Sequence, residues 1–178
     1  MSTQMPNSER RHTIAVLVDN EPGVLARVIG LFAGRGYNIE SLTVSEIDAV
    51  KGYSRITIVT SGTDMVIEQI KALLDRLVPV HMVEDLTIQG PCLERELALV
   101  KVVNSGESRI EALRIADMFR AHAIDSTLDS FVFELTGSPQ KLNAFIELMA
   151  GLGETEITRG GVVAIARGNT VGLKTSQY

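Results

Sequence analysis

Long hydrophobic runs, paired cysteines and an excess of basic residues are all missing from this chain of 178 residues. No apolar stretch approaches the roughly 20 residues that a membrane-spanning helix needs. Residues 1–11 are polar and lack the hydrophobic segment of a secretion signal, so we expect a cytoplasmic protein with no membrane partner. Cys92 has no second cysteine to pair with, and its place beside Pro91 predicts a small linker residue.

The charge and the aromatic content argue against nucleic acid as a partner. The net charge is −5, and the 17 lysines and arginines are scattered along the chain instead of forming runs. The three tyrosines and five phenylalanines do not cluster on the strands as the stacking residues of RNA-binding modules do. We therefore predict no nucleic-acid partner.

Sequence motifs of catalytic and metal sites are absent as well. Gly34-Arg35-Gly36 lacks the Gly-Lys-Ser/Thr that completes a phosphate-binding loop, and no Gly-x-Ser-x-Gly elbow occurs. The acidic stretches Glu84-Asp85 and Glu94-Arg95-Glu96 are predicted to be solvated strand-edge and linker charges. The histidines lie far apart, without the ligand spacing of a zinc site: His12, His81 and His122. We predict no catalytic residue and no metal in this chain.

The same order of apolar patterns occurs twice along the chain. In the first half, alternation over residues 12–18 predicts a buried strand. A helix is predicted next, because apolar residues recur at helical spacing at Val24, Leu25, Val28, Ile29 and Phe32. Gly34 and Gly36 are predicted to end this helix. Further strands are predicted at 38–44, 53–60 and 80–88, and a helix carrying Val66 to Leu77 precedes the last of them. Residues 12–88 therefore show the order β-α-β-β-α-β.

After a break at Gln89-Gly90-Pro91 the order returns. Strands are predicted at 95–103, 123–128, 131–135 and 156–166, and helices at 110–121 and 142–150. The predicted fold is α+β, with two ferredoxin-like βαββαβ domains at residues 12–88 and 93–168 and flexible ends at 1–11 and 169–178.

Helix starts are marked more clearly in the second half. Ser108 with Glu111 three residues later predicts a capping box, and Ser138 before Pro139 predicts a cap followed by a first-turn proline. Helices are expected to cover only one face of each sheet, which leaves the other face and an edge strand open unless another copy packs there. We therefore expect self-association.

The loop after the first strand is the candidate binding site. Pro22-Gly23 opens a helix whose first N–H groups have no partner within the helix, and a carboxylate suits that positive end. Gly23 lets a ligand approach the backbone, and Asn20 and Asn38 can supply amide groups. From spacing alone, the plainer interpretation is that Pro22-Gly23 only starts a helix and Gly36 only ends one.

Seven stretches of the chain together form a family pattern: Asn20–Phe32, Arg35–Val44, Leu93–Leu97, Leu99–Val102, Phe119-Arg120 with Ile124-Asp125, Glu134–Gly137 and Lys141–Phe145. These stretches resemble the small regulatory subunit of acetolactate synthase (acetohydroxyacid synthase). The resemblance covers about residues 12–168 and implies an ACT domain followed by the second ferredoxin-like domain typical of that subunit.

The resemblance implies a chain without catalytic activity that binds a separate catalytic subunit in branched-chain amino-acid biosynthesis. It would raise the activity of that subunit and make it sensitive to feedback inhibition by valine, with leucine or isoleucine as weaker effectors. Thiamine diphosphate, FAD and Mg would belong to the catalytic subunit. ACT domains of this family pair side by side as homodimers, with the effector between the two copies. The implied effector-binding residues are Asn20, Gly23, Val24, Leu25, Asn38 and Ile39.

Two departures from the family pattern and two rival functions stay open. Pro22 and Val24 occupy loop positions that vary among relatives. Arg159-Gly160-Gly161 stands where the family usually has Arg-Thr/Ser-Gly, and we expect it to loosen the last strand. The first rival is a free-standing ACT-type amino-acid sensor that acts on a different client enzyme. The second is a small enzyme of the acylphosphatase kind, but Asp19-Asn20-Glu21 puts negative charge where phosphate would enter. The preference among valine, leucine and isoleucine is open.

Overall fold

A computed structural model describes residues 8–169 and 171 of the chain, and they form two βαββαβ units. Among the described residues, the first unit groups those up to Leu93 with those from Ala164 onward, and the second holds Glu94–Val163. Of the predicted flexible ends, residues 1–7, 170 and 172–178 lie outside the described residues. The prediction of an α+β protein with two ferredoxin-like units is confirmed.

The first unit is an antiparallel sheet with two helices. Its strand order β2-β3-β1-β4 places β1 in the centre and leaves β2 and β4 at the edges. The elements are β1 (Arg10–Asp19), α1 (Val24–Arg35), β2 (Ser41–Asp48), β3 (Tyr53–Gly62), α2 (Asp64–Asp75) and β4 (Val80–Asp85). The second strand begins later than predicted because Gly36 ends α1 in a left-handed conformation, and pairing with β3 begins only at Ser41.

The main core of the first unit lies between the sheet and the helices. Alternate residues of β1 point to the helices, and each helix presents a buried stripe at a spacing of three or four residues. Burying each such aliphatic side chain is worth about 2 kcal/mol. The buried residues are Ile14, Val16, Val18, Val24, Val28, Phe32, Ile56, Ile58, Ile67, Ile70 and Leu74.

The opposite face of this sheet is also covered, so the prediction of an open second face is wrong for the first unit. Ala15 and Leu17 are fully buried there against Leu86 and Ala164. The Arg55 guanidinium donates a hydrogen bond of 2.7 Å to the Ala164 carbonyl oxygen, and burial lowers the pKa of Arg55 against the opposing effect of Glu84. Cys92, predicted as a linker residue, opens β5 and packs against this cluster.

The second unit has the strand order β6-β7-β5-β8, and the short strand β9 also pairs with β5. The elements are β5 (Cys92–Val103), α3 (Glu107–Phe119), β6 (His122–Ser126), β7 (Ser130–Gly137), α4 (Pro139–Ala150) and β8 (Glu154–Arg159). All but the first residue of β9 (Val163–Ala166) are grouped with the first unit. The single strand predicted at 156–166 is wrong, because the chain breaks after Arg159 and Gly161 takes a positive φ of 85°. We expected Gly160 and Gly161 to loosen the last strand, and in the structure they separate β8 from β9.

Helices cover one face of the second sheet. Phe133 and Phe145 meet edge to face in its core, with ring centroids 6.0 Å apart. Alternate residues of β5 on the other face, Leu97, Lys101 and Val103, are exposed. The expectation of an open sheet face is thus confirmed for this unit.

Two of the predicted helix starts have different outcomes. The capping box is wrong, because α3 begins at Glu107 after Gly106, which leaves Ser108 and Glu111 inside the helix. The cap at Ser138 is confirmed: its side chain accepts a hydrogen bond of 3.3 Å from the Lys141 backbone N–H.

The carboxylates of Asp85 and Glu96 were predicted to be solvated, but both are buried. Asp85 is hydrogen-bonded to His12, and Glu96 pairs with Arg159. The His12 Nδ1 donates to the Asp85 Oδ2 over 2.7 Å, and both side chains are buried. In the second unit, Arg159 donates to Glu96 through Nε at 2.9 Å and Nη2 at 2.5 Å, and this raises the pKa of Arg159. A carboxylate tolerates burial only when partners replace its water, which explains both corrections.

Candidate functional site

The loop between β1 and α1, residues 20–23, begins at a point where two successive backbone N–H groups are bonded to neighbouring loops. The Asn20 N–H donates to the Gly52 carbonyl oxygen over 2.6 Å, and the Asp19 N–H donates to the Pro79 carbonyl oxygen over 2.9 Å. The loop therefore leaves the end of β1 in a defined direction, set by the β2–β3 hairpin and by the residue before β4.

The N-terminus of α1 is not capped by any side chain. Gly23 is the N-cap residue, with φ 86° and ψ −8°, and the first turn of the helix contains no acidic residue. A glycine suits this position because the left-handed conformation strains other residues, although a Cβ there would meet no atom within 4 Å. The Val24 N–H donates to the Glu21 carbonyl oxygen over a long 3.4 Å, and the positive end of the helix dipole stays open to an outside acceptor.

The Asn20 side chain lies exposed beside this helix start. Its Nδ2 donates a hydrogen bond of 3.1 Å to the Oε2 of Glu46, on the edge strand β2. Among the described residues, no hydrogen bond to its Oδ1 is found. The loop therefore combines open N–H donors with an amide oxygen that can accept.

Other acidic groups at this end of the sheet have partners. The His81 Nε2 donates to the Asp19 Oδ1 over 2.6 Å, and the His81 ring lies 4.9 Å from the Tyr53 ring. The Asp48 Oδ1 accepts hydrogen bonds from the N–H groups of Val50 and Lys51 at 3.1 and 3.0 Å. Asp19 and Asp48 thus stabilise the loops around the helix start.

The structure brings together four of the six predicted effector-binding residues. Asn20, Gly23, Val24 and Leu25 adjoin one another at the start of α1. Val24 is only 5% exposed, so its side chain belongs to the core and only its backbone can face a ligand. Leu25 is exposed on the outer side of the helix.

The other two predicted residues lie at the far end of the same helix. Asn38 and Ile39 follow the C-cap Gly36, and a helix of 12 residues is about 18 Å long. The Asn38 carbonyl oxygen accepts a hydrogen bond of 2.7 Å from Thr60, and Ile39 packs against the core. A single chain therefore does not assemble all six residues around one ligand.

Sequence reasoning missed Glu46 and His81 as neighbours of this loop. Glu46 is 26 residues from Asn20, and His81 is 62 residues from Asp19. Neither contact leaves a local pattern, because each depends on which strands become neighbours in the sheet.

Two other kinds of site are absent from the part of the chain that the structure describes. No group of three or more histidine, cysteine, aspartate or glutamate side chains in residues 8–169 and 171 is placed to hold a metal ion. Within the same residues, no helix has the length and apolar character required to span a membrane.

Two family models match the chain. The model described as an AHAS small subunit-like ACT domain matches residues 14–82, and the model described as the small subunit of acetolactate synthase matches residues 95–168. The chain is 47% identical over 159 residues to a probable acetolactate synthase small subunit of Archaeoglobus fulgidus, covering 89% of this chain and 98% of that protein. It is 48% identical over 159 residues to the acetolactate synthase small subunit of Aquifex aeolicus, covering 89% and 82%.

A solved structure agrees with these sequence matches. The crystal structure of the acetolactate synthase small subunit from Thermotoga maritima superimposes with a TM-score of 0.81 at 39% sequence identity, covering 90% of this chain and 99% of that one. Together with the family model for residues 14–82, this confirms the prediction that the first ferredoxin-like unit is an ACT domain.

Proposed function

The chain belongs to the family of acetolactate synthase small subunits, and we propose that it is a noncatalytic regulatory subunit that senses valine. In this proposal it binds the catalytic subunit, raises its activity, and makes it subject to feedback inhibition in branched-chain amino-acid biosynthesis. Thiamine diphosphate, FAD and Mg belong to the catalytic subunit. The observation that carries the proposal is the uncapped start of α1, placed beside an exposed amide.

The effector is proposed to lie across the start of α1. Its carboxylate accepts hydrogen bonds from the backbone N–H groups around Gly23, Val24 and Leu25, where the helix dipole also favours negative charge. Its ammonium group is held by Asn20. Its branched side chain rests beside Leu25. Each part of an α-amino acid thus has a partner of suitable chemistry.

A second copy of the chain is proposed to complete the pocket with its Asn38 and Ile39. Support comes from apolar side chains exposed on α1 and on the neighbouring edge strand β2: Leu25, Ile29, Val44 and Ile47. Gly30 and Gly34 add open space along the same helix, since a Cβ at either would meet no atom within 4 Å. Side-by-side pairing through β2 would bury these residues and cover a free strand edge. We therefore propose a homodimer.

The proposal is tested by measuring acetolactate formation by the cognate catalytic subunit with and without the purified chain, across a valine titration. We expect activation by the chain, followed by loss of activity as valine rises. Leucine and isoleucine titrations then rank the effectors. A chain that binds valine but leaves the synthase unaffected would instead be a free-standing amino-acid sensor with a different client enzyme.

A further inference from the structure

The contact between Asn20 and Glu46 fixes the orientation of the Asn20 amide. An asparagine amide has a donor end and an acceptor end, and the two are interchanged by a half-turn about the last side-chain bond. An ionised carboxylate only accepts hydrogen bonds. The end of the amide that lies 3.1 Å from the Glu46 Oε2 is therefore Nδ2. This assignment follows from the chemistry of the partner.

Anchoring Nδ2 determines what Asn20 can offer to a ligand. The remaining group is the carbonyl oxygen Oδ1, which accepts hydrogen bonds and cannot donate them. The Asn20 backbone N–H is already used by the Gly52 carbonyl oxygen at 2.6 Å, so the residue as a whole does not turn freely. A ligand group that meets Oδ1 must therefore be a donor.

We propose that Glu46 is a positioning residue for effector recognition. It holds the Asn20 amide by Nδ2, so that Oδ1 accepts a hydrogen bond from the ammonium group of the effector. The inference rests on the proposed function, and it adds a criterion of specificity to it. The backbone N–H groups at the start of α1 can donate to any carboxylate, whereas Asn20 held in this orientation selects carboxylates that also carry an ammonium group.

The criterion predicts discrimination between valine and its 2-oxo analogue, which keeps the carboxylate and the branched side chain but has a carbonyl in place of the ammonium. That carbonyl oxygen would face the Asn20 Oδ1, and because both atoms only accept hydrogen bonds, none can form between them. A hydrogen bond to a charged group is worth enough to change affinity by roughly tenfold. We expect the wild-type chain to bind valine roughly tenfold more tightly than the 2-oxo analogue.

The test is calorimetric titration of the full-length wild-type chain and three variants with valine and with its 2-oxo analogue. In Glu46→Lys, the lysine ammonium donates to the Asn20 Oδ1 and turns the amide around, so the preference for valine should fall by about tenfold. In Glu46→Gln, the side-chain carbonyl still accepts from Nδ2, and most of the preference should be retained. Circular dichroism melts confirm that each variant is folded.

The matched control is Glu21→Lys, which makes the same change of charge at the residue next to Asn20. In the structure, the Glu21 backbone carbonyl accepts a hydrogen bond of 3.4 Å from Val24, and this bond does not involve the side chain. Glu21→Lys should therefore change both affinities through charge alone and keep most of the preference for valine.

The outcomes separate the inference from the proposed function. Loss of the preference in Glu46→Lys, with retention in Glu46→Gln and Glu21→Lys, supports positioning by Glu46. An equal loss in both lysine variants, or an unchanged preference in Glu46→Lys, overturns it while leaving the effector site in place. If the wild-type chain does not bind valine, the proposed effector site itself is overturned.

Discussion

The loops that begin the first helix of each unit share one backbone plan. In both, an asparagine follows the central strand directly, and its N–H donates to a carbonyl of the next hairpin: Asn20 to Gly52 at 2.6 Å and Asn104 to Asp129 at 2.9 Å. Both helices then begin after a glycine of positive φ, without a side-chain cap. The second helix of each unit is capped by a hydroxyl, from Thr63 or Ser138.

The two loops differ in where the asparagine points and in what lies at the helix start. Asn104 is only 8% exposed, and its Nδ2 donates inward to the Ser108 carbonyl oxygen over 3.0 Å. Glu107 already places a carboxylate in the first turn of α3. Asn20 is exposed and held outward by Glu46, and the first turn of α1 has no acid. The same backbone plan thus gives a helix start with an exposed amide and no first-turn acid in the first unit, and one with a buried amide and a first-turn acid in the second.

The largest expected effect comes from placing a carboxylate at Gly23, and the matched control is the same change at Gly106. Gly23→Asp puts a negative charge where the effector carboxylate is proposed to bind, and it should weaken valine inhibition by about a hundredfold while activation is largely retained. Gly106→Asp should leave valine inhibition intact. The readout is the valine concentration that halves the rate of the reconstituted synthase.

Backbone strain at the two glycines must be separated from the effect of the added charge, and Gly23→Ala is the control for it. Replacement costs about 1 kcal/mol at the left-handed Gly23, and more at Gly106, whose φ of 61° and ψ of −134° suit only glycine. Gly23→Ala carries the strain without the charge and should lose less valine sensitivity than Gly23→Asp. Normal valine inhibition in Gly23→Asp would mean that the effector binds elsewhere.

Replacing the two asparagines by alanine should separate binding from stability. Asn20→Ala removes an exposed side chain, so the free energy of unfolding should hardly change, while valine affinity should fall about tenfold. Asn104→Ala removes a buried hydrogen bond to Ser108 and should cost about 1 kcal/mol without affecting valine. Urea denaturation and calorimetric titration of both variants measure the two quantities. Equal loss of valine affinity in both would remove the distinction between the loops.

Much of this architecture is predictable because it depends on local periodicity. Apolar residues at helical spacing predict α1, and β-branched alternation predicts β3, since both patterns repeat within a few residues. Of the five apolar residues in that pattern, Val24, Val28 and Phe32 are buried, and Leu25 and Ile29 are exposed. Gly36 marks the end of α1 for an equally local reason, because only a residue that tolerates positive φ closes the helix in this way.

The rest depends on partners that are distant in sequence. Asp85 is buried because β4 brings it to His12, 73 residues away, and Glu96 is buried because Arg159, 63 residues away, reaches it from β8. The covered second face of the first sheet needs Ala164, from the end of the chain. The pairing of Asn20 with Glu46 belongs to the same class. No local pattern marks such contacts.

Adding an acid to the first turn of α1 should make the two helix starts more alike. Ala26 is exposed in that turn, and Ala26→Glu would place a carboxylate by the open N–H groups. It should stabilise the helix by about 0.5 kcal/mol and weaken valine binding about threefold, because the new carboxylate competes with the effector. Light scattering checks that the oligomeric state is unchanged. A rise in both stability and valine affinity would contradict competition at the helix start.

The smallest effect is expected from the converse change in the second unit. Glu107→Ala removes the first-turn acid of α3 and should lower the free energy of unfolding by about 0.5 kcal/mol, measured by urea denaturation. It should not create a second valine site, because Asn104 stays buried and turned toward Ser108. An unchanged binding stoichiometry would mean that an open helix start is insufficient without an exposed amide beside it. A second equivalent of bound valine would show that the acid alone keeps this loop closed to ligands.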